Sequence, residues 1–448
     1  MSDAMATFLR VDMVPLFAAL AAALACALVG NFLVLRRESM LGDAISHSVL
    51  PGIVAAFLVT GSRAGLPMFV GAGIAGIVAV LLVELVRRLG RVEPGAAMGV
   101  VFSVMFAGGV VLMERAAARH VDLDADCVLY GQLETLVWPV TDEHLRTPLS
   151  ADALALIPPE LWMLLGSLGL VAAVVVLCFK ELRVASFDPQ LATSLGFSSR
   201  LIGHALAVLV AIVTVASFKA VGSILVVAML VCPAATARMF TDRLHTQVLM
   251  SAVGAVVIAG VAYAAGAFGA PAVGLSGSVN IAGAMASVAG VILAGAVVAS
   301  PTHGVIARAR RRRALATRVA DEDLLGTLFR AEELGTPVVA MEQLAALLGG
   351  ADRSARAVQR ATAAGLVARE GPGVMLTTLG RDRGAAMIRS HRLWETYLVE
   401  RAGMRPDHVH DPAELLEHAR TPTGAPIDPP ASGPIDPHGH PIPGSGSA

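Results

Sequence analysis

The sequence predicts an all-α polytopic membrane bundle of about nine transmembrane helices, followed by a C-terminal cytoplasmic winged-helix domain of the α+β class. Hydrophobic residues make up 55% of the 448-residue chain and charged residues only 15%, whereas an average soluble domain is about 25% charged. The apolar runs end near residue 300, and the rest has the composition of a globular domain and then of a Pro/Gly-rich tail. Two regimes of composition predict at least two domains.

Apolar runs of roughly 17 to 25 residues can cross a bilayer as helices. The runs that meet this criterion are 14–35, 44–61, 66–87, 96–114, 161–179, 201–217, 219–237, 245–267 and 279–299. The division between the sixth and the seventh run is placed at Lys219. Many runs are rich in small residues, as in GAGIAGIVAV, which allow helix backbones to approach closely in lipid. The expected architecture is therefore a packed bundle and not a single anchor.

The basic residues indicate the orientation of the bundle, because cytoplasmic loops carry an excess of Arg and Lys. One set of alternate loops contains most of them: Arg36, Arg37, Arg87, Arg88, Arg91, Lys180, Arg183, Arg200, Arg238, Arg243, Arg308, Arg310, Arg311, Arg312 and Arg313. The other set contains far fewer. The N-terminus is therefore expected outside, and every residue after 300 is expected in the cytoplasm.

The chain is expected to divide into a transmembrane domain over residues 1–305 and three cytoplasmic parts. A basic linker over 306–319 precedes a winged-helix domain over 320–420, in which two short helices are followed by a hairpin and a longer helix. This order is that of a helix-turn-helix with a wing. The Pro, Gly and Ser residues of 421–448 predict a flexible tail.

The segment MLGDAISHSVLPG places an acid and a histidine beside lipid, at the start of the second apolar run. Asp43 and His47 are four residues apart, so a helix presents both from one face, with Cβ atoms about 5–6 Å apart. A carboxylate and an imidazole at this spacing suit one divalent cation, and ionisable residues within membrane spans usually mark a pathway. The alternative is structural, with Asp43 as an N-cap and His47 facing the interface. Arg37 marks the cytoplasmic end of the first span, so Asp43 is expected closer to that face than a site at the middle of the membrane requires. The helix is therefore expected to be irregular near Gly42 or Pro51.

Three stretches carry a family resemblance, and the first, NFLVLRRESMLGDAISHSVLPGIVAAFLVTG, contains this acid and histidine. It resembles the hallmark segment of the zinc, manganese and iron permeases of ATP-binding-cassette (ABC) importers. FKELRVASFDPQLATSLGF and VGSILVVAMLVCPAATARMF resemble the same family, so that the resemblance covers about residues 10–300.

This resemblance implies that Asp43 and His47 coordinate the travelling metal. The cargo is expected to be a divalent metal, with Mn²⁺ favoured and Zn²⁺ or Fe²⁺ as alternatives. A bacterial inner-membrane location is also implied. The loop from Asp188 to Gly196 is implied to form the cytoplasmic coupling helix that docks into an ATPase, and its positions include Pro189 and Ala192.

The chain itself is not expected to be an enzyme. A phosphate-binding loop needs Gly residues followed by Lys and Ser or Thr, but the lysines are Lys180 and Lys219, and neither has such a setting. ATP hydrolysis is therefore expected on a partner chain. The other expected partners are an extracytoplasmic metal-binding lipoprotein and a second permease copy, identical or related. The acidic outer loop over 114–160 is a candidate docking surface for the lipoprotein, or an ordinary solvated loop.

A second group of metal-ligand residue types lies in the C-terminal domain. Glu414, Glu417 and His418 fall at i, i+3 and i+4 of one predicted helix. His391 and Glu395 show the i, i+4 spacing on the preceding helix. Such spacing places ligands on one helix face, although a pair of solvated amphipathic helices would show the same pattern.

The segments MIRSHRLWETYLVERAGM, DHVHDPAELLEHA and DPHGHPIPG resemble the metal-dependent repressors of the diphtheria-toxin-repressor type, over about residues 320–444. The resemblance implies a regulatory metal site with five ligands, which are Asp323, His391, Glu414, Glu417 and His418. Glu414 stands where the iron-responsive members have a Cys, and oxygen ligands favour Mn²⁺ as the regulatory ion.

Two features differ from this repressor pattern. Gly326 stands where a second acidic ligand is expected, and the breaker-rich TPTGAPIDPPASG replaces the dimerisation helix.

The recognition helix offers Arg353, Arg356 and Arg360, which either contact phosphates or are simply solvated. Nucleic acid is not the expected partner, because a short Arg-rich linker that suits anionic membrane lipid tethers the domain. The domain is expected to sense cytosolic metal and inhibit uptake. The alternative is a membrane-tethered, metal-dependent transcriptional regulator.

Overall fold

The computed structural model of the chain describes residues 6–61, 65–117, 131, 133–140, 150–269, 280–419, 427–430 and 433–444. The chain divides into two compact units, Met1–Ala307 and Arg308–Ala448. The first unit contains the apolar helices, and the second contains the mixed helices and strands.

Helices form the first unit, and the long ones are apolar. In chain order they are α1 Met13–Arg36, α2 Leu41–Ser48, α3 Leu50–Thr60, α4 Gly65–Gly90, α5 Pro94–Ala117, α6 Ala151–Ala155, α7 Pro159–Leu177, α8 Phe179–Phe187, α9 Pro189–Ser194, α10 Ser199–Phe240, α11 Leu244–Ala264 and α12 Ile281–Ala299. Within the described ranges, 9 stretches are long and apolar enough to cross a membrane. They are α1 with the preceding turn, α2 with α3, then α4, α5, α7, the two halves of α10, α11 and α12. The predicted number of spans is confirmed.

The long helix α10 contains the sixth and the seventh span, and it is interrupted at Gly222. This residue has φ 73° and ψ 168°, a conformation that only glycine adopts without strain. The interruption lies close to the predicted division at Lys219. Gly131 lies directly against Gly222, because a Cβ atom on Gly131 would come within 2.5 Å of the Gly222 nitrogen. The break in α10 is therefore covered by backbone from another segment.

Buried polar side chains join α1 to α11 inside the apolar bundle. Asn31 Nδ2 donates to Ser251 Oγ at 2.6 Å, and Gln247 Nε2 donates to Asn31 Oδ1 at 3.1 Å. All three residues are fully buried. Hydrogen bonds of this kind hold transmembrane helices together where lipid offers no hydrophobic driving force between them.

The segment after α12 is fastened to the C-terminal end of α10. The hydroxyls of Ser300 and Thr302 both donate to the carbonyl of Met239. His303 Nε2 lies 3.2 Å from Asp242 Oδ1. These bonds satisfy a carbonyl that the last turn of a helix leaves without a partner.

The second unit contains a helix-turn-helix and a wing. Its elements are α13 Val305–Glu333, β1 Val339–Ala340, α14 Met341–Leu347, α15 Ala351–Ala363, β2 Val367–Glu370, β3 Gly373–Leu376, α16 Thr378–Glu400 and α17 His410–Leu416. The antiparallel sheet has the order β1-β3-β2, with Val339 opposite Val374 and Val367 opposite Leu376. This order of elements confirms the predicted winged helix.

The basic segment 306–319, expected as a linker, is helical and forms the first half of α13. Ala and Arg are strong helix formers, so a segment rich in both continues a helix and does not interrupt it. The second half of α13 buries Leu324 and Leu328 in the core of the unit, together with Val358 of α15 and Val374 of β3. Helix α13 is therefore both the basic segment and the first core helix.

The end of the chain, expected as a flexible tail, is folded over residues 433–444. Ile435 and Pro441 form a β-bridge. Arg392 of α16 donates to the carbonyl of Pro441 at 2.6 Å, and Arg389 donates to the carbonyl of Pro443 at 2.8 Å. Two arginines thus anchor a sequence whose composition alone indicated disorder.

Candidate metal centres

The acid and the histidine of the second span lie on α2, a short helix that neighbouring helices bury on nearly every side. Gly42 allows this close packing, since a Cβ atom there would lie 2.3 Å from Leu230 Cδ1 of α10. Between Leu41 and Ser48 every residue is buried except Asp43 and His47. Their side chains are 33% and 25% exposed. The open face of α2 therefore consists of the two predicted ligands.

Asp43 and His47 contact one another. His47 Nε2 lies 3.4 Å from Asp43 Oδ1, as the i, i+4 spacing predicts. The His47 ring packs on two aromatic rings of α5, with centroid distances of 4.9 Å to Phe102 and 5.7 Å to Phe106. Phe102 and Phe106 cover one side of the His47 ring. A cation can therefore approach the ring only from the side of Asp43 and the open face of α2.

The expected irregularity is present just beyond this pair. Helix α2 ends at Ser48, and α3 begins at Leu50, one residue before Pro51. Proline has no N–H, so the carbonyl of His47 lacks its usual donor four residues on. The interruption is small, because Val49 keeps helical dihedrals of φ −73° and ψ −28°.

The segment predicted as a coupling helix is the short helix α9. Asp188 caps it by accepting from the backbone N–H groups of Gln190 and Leu191 at 2.9 Å each, and Pro189 occupies its first turn. Ala192 is fully buried, and Gly196 ends the turn with φ 86°. Its outward residues Leu191 and Leu195 are 48% and 56% exposed. The result is a capped helix that presents apolar side chains.

In the second unit, Asp323, Glu417 and His418 form one group of potential metal ligands. His418 Nε2 lies 3.2 Å from Asp323 Oδ1 and 3.7 Å from Glu417 Oε1. Asp323 comes from α13, whereas Glu417 and His418 follow the last turn of α17. Helix α17 is held on α16 by an apolar contact that buries Val409 and Ala413.

His391, Glu395 and His410 form a second group. His391 Nε2 lies 3.1 Å from both Glu395 Oε1 and His410 Nδ1, and His410 Nδ1 lies 3.0 Å from Glu395 Oε1. The i, i+4 pattern of the sequence pointed to the first two members. The folded tail adds His438, whose Nε2 lies 3.8 Å from Glu395 Oε1, and no helical spacing connects this residue to the others.

The two groups touch through Glu417. Its Oε1 faces His418, and its Oε2 forms a short hydrogen bond with His391 Nδ1. Burial of the His391 ring disfavours its charged form, but hydrogen bonds to Glu395 and Glu417 outweigh burial and raise the pKa of His391. Burial likewise opposes ionisation of Glu395, yet its hydrogen bonds to His391 and His410 lower the pKa of Glu395 to about 2.

His418 has the same kind of environment. Burial lowers the pKa of this ring, but hydrogen bonds to Asp323 and Glu322 outweigh it and raise the pKa of His418 to about 9. Protons therefore occupy positions that a cation would take, because a ligating imidazole nitrogen must be unprotonated. Glu322 was not among the residues that the sequence indicated, and its only signal was its position next to Asp323.

The structure does not bring every predicted ligand together. Glu414 is exposed and belongs to neither group of the described residues. Gly326 is buried, and a Cβ atom there would contact Ile388 Cδ1 at 3.6 Å, so this position faces core. The acidic stretches 118–130 and 141–149 of the expected docking loop lie outside the described residues.

The arginines of the recognition helix α15 are engaged within the unit. Arg360 binds Asp321 through two nitrogen atoms at 2.7 and 3.1 Å. Arg353 donates to Asp323 Oδ2 at 3.0 Å. Arg356 is exposed. Two of the three candidate phosphate contacts thus already hold carboxylates.

Comparison with known families matches both units. Residues 11–139 and 136–302 match the ABC 3 transport family. Residues 377–424 match the iron dependent repressor, metal binding and dimerisation domain. The second match covers α16, α17 and the residues just after α17, where five of the six clustered ligands named above lie.

The chain aligns with two curated relatives over most of the length of each. The manganese transport system membrane protein MntD of Bacillus subtilis is 42% identical over 64% of this chain and 91% of that protein. The zinc transport system membrane protein TroD of Treponema pallidum is 38% identical over 83% of this chain and 97% of that protein. The alignment with TroD spans 373 residues and therefore extends past the first unit, which ends at residue 307.

One solved structure has a similar fold over about two thirds of this chain. PsaBC from Streptococcus pneumoniae, in complex with a Fab, has a TM-score of 0.53 and 24% sequence identity. The similarity covers 67% of this chain and 96% of that chain.

Proposed function

Because the chain belongs to the ABC 3 transport family, we propose that it is the permease subunit of an ABC importer of divalent metal, with Mn²⁺ as the favoured cargo and Zn²⁺ or Fe²⁺ as alternatives. It is a multi-pass membrane protein whose relatives are permeases of manganese and zinc transport. The observation that carries the proposal is the Asp43–His47 pair on the open face of α2.

The pair by itself is half of a metal site. Divalent transition metals bind at least about four ligands. In the described part of the chain, no third ligand atom of a His, Cys, Asp or Glu lies within 4.8 Å of both residues. A second permease copy related by two-fold symmetry would supply the same two ligands again. This arrangement explains why the face is left open, and it gives one bound cation per two permeases.

The energy for transport comes from a partner ATPase in this proposal. Helix α9 supports it, because Asp188 caps its first turn and its exposed leucines provide an apolar contact surface. A docking helix transmits movement through its contacts with the rest of the unit, and the buried Ala192 provides such a contact. Delivery of the cation by an extracytoplasmic metal-binding lipoprotein completes the proposed system.

The second unit is the regulatory part, which we place in the cytoplasm because basic residues flank the preceding spans. Two carboxylates and one imidazole in the Asp323 group suit Mn²⁺. The His391 group offers two imidazoles and one carboxylate, a set with more nitrogen that also suits Zn²⁺ or Fe²⁺. Binding at these groups reports cytosolic metal and reduces uptake.

The alternative, a membrane-tethered transcriptional regulator, has less support. Binding to nucleic acid needs cations that are available to phosphates, and Arg353 and Arg360 are ion-paired to Asp323 and Asp321. Metal-dependent, sequence-specific DNA binding by the full chain in nanodiscs would favour this alternative.

Uptake of radioactive Mn²⁺ by cells that produce the importer tests the proposal. Asp43→Asn and His47→Ala should abolish uptake while membrane insertion and copurification with the ATPase remain. Asp152→Asn and His245→Ala change exposed residues of the same types, so they should transport normally. Uptake by both site variants at the wild-type rate would refute the assignment of the transport site.

A further inference from the structure

We propose that Glu322 is a positioning residue of the Asp323–Glu417–His418 group: it holds His418 in the tautomer whose Nε2 faces the metal. The inference rests on the proposed regulatory function, since it concerns the same group. Glu322 precedes Asp323 on α13, and side chains of consecutive helical residues point about 100° apart. The two acids therefore approach the imidazole ring from different sides.

The distances assign one ring nitrogen to each acid. His418 Nδ1 lies 2.7 Å from Glu322 Oε2, and His418 Nε2 lies 3.2 Å from Asp323 Oδ1. An ionised carboxylate only accepts hydrogen bonds, so Nδ1 carries a hydrogen that it donates to Glu322. In the metal-free protein Nε2 likewise donates to Asp323, and a cation held by Asp323 and by Glu417, whose Oε1 lies 3.7 Å from Nε2, would displace that hydrogen.

Glu322 and His418 are themselves held in place. The side chains are 16% and 10% exposed, so the hydrogen bond between them is largely shielded from water. Arg318 of α13 donates to the backbone carbonyl of His418 at 3.1 Å, and its Nε lies 3.9 Å from Glu322 Oε1. One turn of α13 thus fixes both the backbone and the ring of His418.

Partners of this kind orient metal-binding histidines and make them more basic ligands. Their removal typically costs about 10- to 100-fold in metal affinity. A neutral imidazole without the Glu322 hydrogen bond would be free to place its hydrogen on Nε2, where it blocks the metal. Glu322 therefore raises affinity without contacting the ion.

Mn²⁺ titration of the full-length chain in nanodiscs tests the assignment. All variants carry His47→Ala and His410→Ala, so that binding reports the Asp323 group. Glu322→Ala should weaken binding about 10- to 100-fold. Glu322→Gln keeps an oxygen acceptor and should weaken it less. Glu370→Gln, at an exposed glutamate of the wing, is the matched control and should bind like the parent chain.

The tautomer separates positioning from a merely structural role. With Zn²⁺ as a diamagnetic probe and ¹⁵N-labelled histidine, NMR should show metal on Nε2 of His418 and hydrogen on Nδ1. Metal on Nδ1, or unchanged affinity in Glu322→Ala, would overturn the proposal. Asp323→Ala provides the separate test of the regulatory site: if it binds Mn²⁺ like the parent, the proposed regulatory site itself is wrong.

Discussion

The guanidinium of Arg353 lies 3.0 Å from Asp323 Oδ2, so the recognition helix of the winged motif holds a carboxylate of a metal-ligand group. A bound cation and Arg353 both draw on the negative charge of Asp323. Coupling between two sites is reciprocal in binding free energy, so metal at this group should weaken the hold of Asp323 on α15.

Arg353→Gln should raise the Mn²⁺ affinity of the regulatory group by about two- to fivefold, as expected for the loss of a partly exposed ion pair. Glutamine keeps a donor for Asp323 but removes the positive charge that repels the metal. Arg356→Gln, which changes an exposed arginine of the same helix, should have no effect. Equal affinities measured by calorimetry for Arg353→Gln and the parent would show that the ion pair does not oppose the metal.

Substitutions on the exposed face of α9 should weaken docking of the ATPase and thereby reduce transport. Leu191→Asp places a charge on the exposed apolar face of the helix, where it would have to be desolvated on docking. Copurification with the ATPase and Mn²⁺ uptake should both fall at least about tenfold. Leu334→Asp changes a leucine that is 83% exposed in the second unit and serves as the control. Undiminished copurification would locate the docking surface elsewhere.

Regulation should depend on the Asp323 group and not on Glu414. Asp323→Ala or His418→Ala should keep uptake high when cytosolic Mn²⁺ rises, because the inhibitory state needs bound metal. Glu414→Ala should behave like the wild type, because Glu414 is exposed and lies outside both ligand groups. Uptake measured against external Mn²⁺ checks both expectations, and loss of feedback in Glu414→Ala would mean that the metal-bound state recruits this residue.

Metal binding to the regulatory groups should weaken as the pH falls. Hydrogen bonds to Asp323 and Glu322 overcome the opposing effect of burial and raise the pKa of His418 to about 9, so this ring is protonated at neutral pH before metal binds. Mn²⁺ must displace a proton, and affinity should drop about tenfold per pH unit for each proton released. Calorimetry in buffers of different ionisation enthalpy counts the protons, and an affinity that does not change with pH would contradict the assignment.

Much of the fold was predictable because the signals are local. Apolar length identifies the spans, and the i, i+4 spacing of Asp43 and His47 brings them together without help from other helices. The position of the break in α10 was harder to place, since the sequence predicts the division at Lys219 and the break lies three residues later, at Gly222.

The remaining features depend on contacts between distant residues. His438 reaches Glu395 only because Arg392 and Arg389 anchor the tail, and no composition rule predicts that anchor. Glu322 acquires its position because α17 brings His418 to α13. The charge of the basic segment 306–319 suggests a linker, whereas the helical propensity of its Ala and Arg residues makes it part of α13.

The fastening of Ser300 and Thr302 to Met239 sets the boundary for any shortened chain that is made to study transport alone. Ending the chain before these residues would remove both donors and expose the end of the seventh span. Each lost hydrogen bond of this kind costs about 1 kcal/mol of stability. The lower stability of the shortened chain would then be mistaken for an effect of removing the regulatory unit. A shortened chain that ends after Gly304 retains the fastening and separates the two causes.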